Sequence, residues 1–288
     1  MKKRILGITL AICMMIFCVP MGVFAESAAD VWDGTADTSW YTSAPDASEY
    51  HISMAEQLAG LAQLVNAGDT TFSGKTIYLD SDLDLGGYEW VSIATGSNQG
   101  RYFAGTFDGQ YHEITNLFSR NDGSSDFRSG LFGVVSDGGV LKNLYVTNAD
   151  IVANDNSLLA GILADWVNGG TVQNCYTSGT IVNAVGDKFV GGLVGQCTWV
   201  TQILGCASDA NVISKLTDDP DAGSDVAGGL IGQWEKSGTG SLIADCWFGG
   251  SVSCAYMDAA VGGILGANFD FDDNEPGVTI KNRVNSLF

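Results

Sequence analysis

A chain of 288 residues with 33 acidic against 13 basic side chains carries a formal charge of −20, a balance that repels nucleic acid and anionic lipid and leaves room for cations. Its length suits one elongated repeat domain or two ordinary ones. With only two histidines, a His-based zinc site or a Ser-His-Asp triad is a poor expectation.

In chain order, Met1-Lys2-Lys3-Arg4, the apolar run from Ile5 to Phe17, and Val23-Phe24-Ala25 form a secretory signal cut after Ala25. Pro20 interrupts a core already shorter than the about 20 residues of a membrane span. Phe17 before Cys18 also fits lipid attachment poorly. The expectation is a protein secreted or held at the cell surface, with no membrane insertion once residues 1–25 are removed. Residues 26–75 read as an extension ending in a helix. There Ser53-Met54-Ala55-Glu56 forms a capping box, Leu58, Leu61, Ala62 and Val65 line one face, and the helix stops near Gly68. That helix is expected to cap the first coil of a repeat domain over residues 76–288. Thr76 to Leu79, Leu83 to Leu85 and Trp90 to Ile93 are strands leading into that domain.

From there the sequence repeats itself. Ser129-Gly130-Leu131-Phe132-Gly133, Ala160-Gly161-Ile162-Leu163-Ala164, Gly191-Gly192-Leu193-Val194-Gly195, Gly228-Gly229-Leu230-Ile231-Gly232 and Gly262-Gly263-Ile264-Leu265-Gly266 align on their second residues, at intervals of 31, 31, 37 and 34. Each is succeeded by a second string, such as Val172-Gln173-Asn174-Cys175. The departures from 31 are confined to two loop positions, as insertions on a regular scaffold would be. The strings are too short, β-branched and glycine-bounded for helices. They predict three strands per coil in a right-handed parallel β-helix, an all-β solenoid whose coils stack at about 4.8 Å. Asn116, Asn143, Asn174 and Asn282, with Gly205 and Asp245, then form a corner ladder in left-handed backbone. Leu144, Cys175, Cys206 and Cys246 stack inward, as reduced, buried thiols or, at closer approach, as a disulfide. The final residues, Asn285 to Phe288, sit in or just after a strand, so the expectation is either a partner or a second copy over the open C-terminal coil or a sequence that is part of something longer.

Gly191-Gly192-Leu193-Val194-Gly195 and Gly228-Gly229-Leu230-Ile231-Gly232 resemble the GLUG repeat of bacterial secreted and surface proteins. Phe107 to Leu117 is similar to the segment that precedes those repeats, and the likeness covers roughly residues 52–283. The resemblance implies a parallel β-helix, export, and a place in adhesins or beside the catalytic part of IgA-cleaving zinc peptidases. It implies no activity for this chain.

Chemistry is sparse. His112-Glu113 lacks the second histidine of a zinc-peptidase helix. Asp80, Asp82 and Asp84 alternate with Leu83 and Leu85 as an outward strand face does, though a β-helix polysaccharide lyase or hydrolase would also use clustered carboxylates. Calcium is the cofactor to test, at Asp270, Asp272, Asp273 and Glu275 or at Asp218, Asp219, Asp221 and Asp225, although neither group matches the twelve-residue calcium loop. Trp166 and Trp234 lie five residues after their repeat glycines and Trp199 seven. The three indoles therefore either line one edge, where they would stack on a glycan, or fold over the core. The function read from these features is a non-catalytic extracellular binding or adhesion module for a glycan or protein ligand. The alternatives are the carboxylate enzyme and an accessory segment of a larger secreted peptidase.

Overall fold

The computed structural model describes residues 31–96, 100–120, 128–153, 159–183, 189–214, 226–236, 238–254, 260–269, 277–281 and 285–286. The leader, both acidic loops proposed for calcium and Asn282 lie outside the described residues.

The repeat strings pair as parallel strands, each with its equivalent one coil away, and build four parallel sheets of eight, four, five and nine strands. The described residues thus form a parallel β-helix with a short helix, Ser39–Thr42, ahead of its first strand and a longer one inserted after it. One coil consists of Leu159–Gly161, Ala164–Asn168, Thr171–Gln173 and Tyr176–Asn183. Three strands per coil were expected and four are present, because the glycine string bends in its middle into two. Glycine makes that bend feasible. A Cβ on Gly161 would stand 2.6 Å from the Gly195 nitrogen, and one on Gly195 would stand 2.7 Å from the Ala160 nitrogen, so the two short sheets touch backbone to backbone.

The stack begins before residue 76. Glu49–Ile52 pairs with Thr76–Leu79 as a first parallel rung, and the helix Ala55–Ala67 is inserted between them. Its cap differs from the expected box. Met54 is the N-cap residue, and the Gln57 side chain reaches back to accept the Ser53 and Met54 N–H groups at 2.8 and 3.3 Å. The expected face is the buried one: Leu58, Leu61, Ala62 and Val65 join Ile77, Leu79 and the inward residues of later coils in one continuous core. Gly68, at φ +79°, ends the helix in left-handed backbone.

The asparagine corner separates into two ladders. Asn143, Asn174, Gly205 and Asp245 share one column, all at φ between +51° and +60°. Asn174 donates to Asn143 Oδ1 at 3.1 Å, and Asn143 donates to Asp108 at 3.0 Å. Asn116 belongs elsewhere, because the register sets it level with Asn148. It donates to Asp84 at 2.7 Å and accepts from Asn148 at 2.5 Å. Between corner and sheet, Cys175, Cys206 and Cys246 are buried free thiols, each 3.5–3.7 Å from a carbonyl oxygen of the coil before. Burial raises the Cys206 thiol well above its ordinary value, which keeps it protonated and inert. At the last described coil the inward positions Val252, Ile264 and Leu265 are only partly buried.

Candidate functional site

The three indoles do not form one edge. Gly161 is level with Gly191 rather than Gly192, so repeat counts taken from the second glycine are one residue out at this coil. Trp166 is consequently level with Gln196 and Gln233, and Trp234 with Val167 and Cys197. A one-residue slip reverses the face a side chain takes. Trp234 is fully buried in the core, with an indole N–H that finds no acceptor among the described residues. Trp166 is half-buried on the outer face and donates to Thr198 Oγ1 at 2.9 Å. Trp199 alone of the three stands exposed, at 54 %. It occupies a corner at φ +55°, with the Lys236 ammonium 5.9 Å from its ring centroid.

The aspartates of the second coil are each taken up by a neighbour. Asp80 accepts from Gln110 at 2.7 Å and lies 2.9 Å from His51 Nδ1. Asp82 lies 2.9 Å from His112 Nδ1 and accepts the Glu113 N–H. Asp84 accepts from Asn116. Burial pushes the Asp80 and Asp82 carboxyls up, but hydrogen bonds and the histidine charges outweigh it and hold both below the usual value. These carboxylates join one coil to the next rather than converging on a shared point. Among the described residues no group of three or more His, Cys, Asp or Glu side chains is placed to hold a metal ion.

What the structure does assemble is a tyrosine column. The residues directly after Leu144, Cys175, Cys206 and Cys246 are level with one another: Tyr145, Tyr176, Ala207 and Trp247. Because the preceding residues point inward, these point outward. Tyr111 joins from the coil before, its ring 6.3 Å from that of Tyr145, which is 6.1 Å from that of Tyr176. Tyr111 is 57 % exposed and Tyr145 37 %. Tyr111 also sits at φ +67° beside Gln110 at φ +50°, a backbone unusual for a bulky residue and kept in place by the Tyr111 N–H bond to Asn143 O at 2.7 Å. Tyr176 donates to Asp209 at 2.9 Å. Burial, that acceptor and the Glu113 charge push the phenol up, so it remains a neutral donor. The rings border an open groove of about 410 Å³ that runs on to Asn174, Gly205 and Ala207. The signal lies in the sequence one residue past each second string, and sequence reasoning drawn to the indoles passes over it.

Sequence reasoning misses Asp165 as well. It takes the place of Gly133, Gly195, Gly232 and Gly266 in the neighbouring coils and is fully buried. Its oxygens accept the N–H groups of Ser129, Gly130 and Gly161 at 2.7, 3.0 and 3.1 Å. Burial pushes its carboxyl up to about 6, against the pull of the Arg128 charge and the three N–H groups. An enclosed carboxylate holding backbone at the start of a sheet is a structural anchor.

No family model matches the chain. It is 33 % identical over 176 residues, 57 % of its length, to "Halomucin" of Haloquadratum walsbyi. It is 31 % identical over 144 residues, 49 % of its length, to the "Putative Gly-rich membrane protein" of Evansella cellulosilytica. The chain spans 2 % and 16 % of those two proteins. A crystal structure titled as a putative immunoglobulin A1 protease from Bacteroides ovatus aligns with 76 % of this chain and 84 % of its own, at a TM-score of 0.42 and 18 % identity. Among the described residues no helix is long and apolar enough to cross a membrane.

Proposed function

We propose that this chain is a non-catalytic binding module of the cell exterior that retains a glycan on its tyrosine column. The carrying observation is the run of Tyr111, Tyr145 and Tyr176, whose rings succeed one another at 6.3 and 6.1 Å along the outer corner of successive coils. Aromatic faces held by a rigid stack offer apolar area at little entropic cost, which suits the apolar faces of sugar rings. Likeness to a curated protein named for a membrane agrees with an exterior setting, as does the leader expected at residues 1–25. Trp199, exposed at its corner, is a second and smaller aromatic surface in this reading, and the buried Trp234 takes no part. A protein partner or a second copy would sit over the partly buried last coil.

Affinity electrophoresis of the chain without residues 1–25 through gels carrying cell-wall or mucosal polysaccharides tests the proposal. Retention should be lost in the double variant Tyr111→Ala/Tyr145→Ala, while the melting temperature stays within a few degrees because both rings are exposed. Turnover of a glycan without retention would overturn it.

A further inference from the structure

The tyrosine column has a gap, and a second column has a gap in the same coil. Between Tyr176 and Trp247 the register places Ala207. Between Asn174 and Asp245 it places Gly205. One coil therefore carries the two smallest side chains at two outward positions where the coils on either side carry an aromatic ring and an amide or carboxylate. Both positions border the 410 Å³ groove, together with Asn174, Tyr145 and Tyr176.

The vacancy at Gly205 exposes a hydrogen-bonding atom. Asn143 and Asn174 link through Nδ2 to Oδ1 at 3.1 Å, a chain that a third asparagine would extend. With glycine there, Asn174 Oδ1 turns toward the empty rung, 2.7 Å from where a Cβ would stand. Among the described residues nothing donates to it. The vacancy at Ala207 uncovers the groove beside the Tyr176 ring, whose hydroxyl is held by Asp209. In the next coil Trp247 leans over Gly249, where a Cβ would meet the indole at 2.0 Å and Asp209 Oδ1 at 2.5 Å.

Resting on the glycan reading of the tyrosine column, we infer that this notch is a sugar subsite. It takes one pyranose of a neutral polysaccharide, with an apolar ring face against the tyrosines and a hydroxyl donating to Asn174 Oδ1. Two coils at about 4.8 Å give the notch an opening of roughly 10 Å, enough for one ring between aromatic neighbours. Charge selects against acidic sugars: Asp209 holds the Tyr176 hydroxyl, the Glu113 charge acts on the same phenol, Asp245 stands one rung beyond Gly205, and the chain is strongly acidic. Acceptor and stacking surface both act without charge, so binding should be insensitive to salt.

Filling the notch tests it. Cellohexaose and mannohexaose are titrated calorimetrically into the full exported chain, with hexagalacturonate as the acidic control. At least one neutral hexasaccharide should bind with similar affinity at about 0.05 and 0.5 M salt, and the acidic one should not. Ala207→Tyr and Gly205→Asn should each weaken that binding roughly tenfold or more with no loss of melting temperature. Asparagine is the residue that Asn143 and Asn174 already are at this corner, at φ +51° and +52°, so Gly205→Asn serves should Ala207→Tyr disturb the fold. If Ala207→Tyr leaves affinity unchanged or strengthens it, the column binds as a continuous aromatic surface and the notch is not a subsite, while the glycan reading survives. If neither neutral hexasaccharide binds, or hexagalacturonate binds instead, the subsite as described is wrong. Retention on no polysaccharide at all overturns the parent reading as well.

Discussion

Trp234 and Tyr145 are both large aromatics in strands of the same stack, yet one is fully buried and the other is 37 % exposed. Around Trp234 the bent glycine string packs two sheets back to back, and the inward column beside it is Val135, Val167 and Cys197. Around Tyr145 the corner turns through left-handed asparagines, which direct the next outward residue into solvent. Composition does not decide which aromatic belongs to the core and which to the surface. The distance in residues from the nearest corner does.

Breaking the inner side should have the largest effect. Trp234→Ala removes a fully buried indole and is expected to cost about 3–5 kcal/mol, read as a lower urea midpoint at unchanged slope. Trp234→Phe deletes the orphan indole N–H along with part of the volume and should cost much less. Equal losses for the two variants would mean that shape, and not the unpaired nitrogen, governs the site.

Asp165 sharpens the same contrast through pH. Its carboxyl is raised from 3.8 to about 6, so between those values the folded chain holds a proton that the unfolded chain has released. The stability it contributes is fully present below 3.8, falls as pH rises through that window and is level above it. The whole change is about 3 kcal/mol. Asp80, Asp82 and Asp108, held below their ordinary value, work in the opposite sense and lose their contribution as pH falls below it. Chemical unfolding of wild type and Asp165→Gly at about pH 4 and 7 isolates the group. The difference between the two proteins should change with pH, and a constant difference would show that Asp165 stays ionised throughout.

The smallest effect is expected at the outer corner. Asn143→Ala forces alanine into φ +51° and removes bonds to Asp108 and from Asn174, together about 1–2 kcal/mol. Asn143→Gly relieves the backbone while still losing the bonds. A glycine variant as unstable as the alanine one would assign the whole cost to the ladder.

Much of this architecture is legible in the sequence, because repeated apolar strings bounded by Gly, Asn and Asp leave few alternatives to stacked strands. The strand Thr76–Leu79 has the bounds its residues predict, and the cysteine column comes from its place after the asparagine corner. The indole edge fails on a single residue. Ala160-Gly161 and Gly191-Gly192 look alike as text, but backbone pairing aligns Gly161 with the first glycine of the later pair. Asn116 is misplaced in the same way, since its string resembles that of Asn143 while its hydrogen bonds run to Asp84 and Asn148. Asp165 gives no sequence signal of burial, because an aspartate at a glycine position reads as a surface residue until the two sheets are seen to touch.

The nearest-neighbour pairing of coils has a mechanical consequence. Each described strand bonds only to its equivalents in the coils before and after it, so among the described residues no strand pairing shares a load between distant coils. Tension between the two ends of the stack would act on one coil boundary at a time. A chain pulled in this way should lengthen in steps, each releasing one repeat of about 31 residues, or roughly 100 Å of extended backbone, and should yield gradually under flow instead of failing at once.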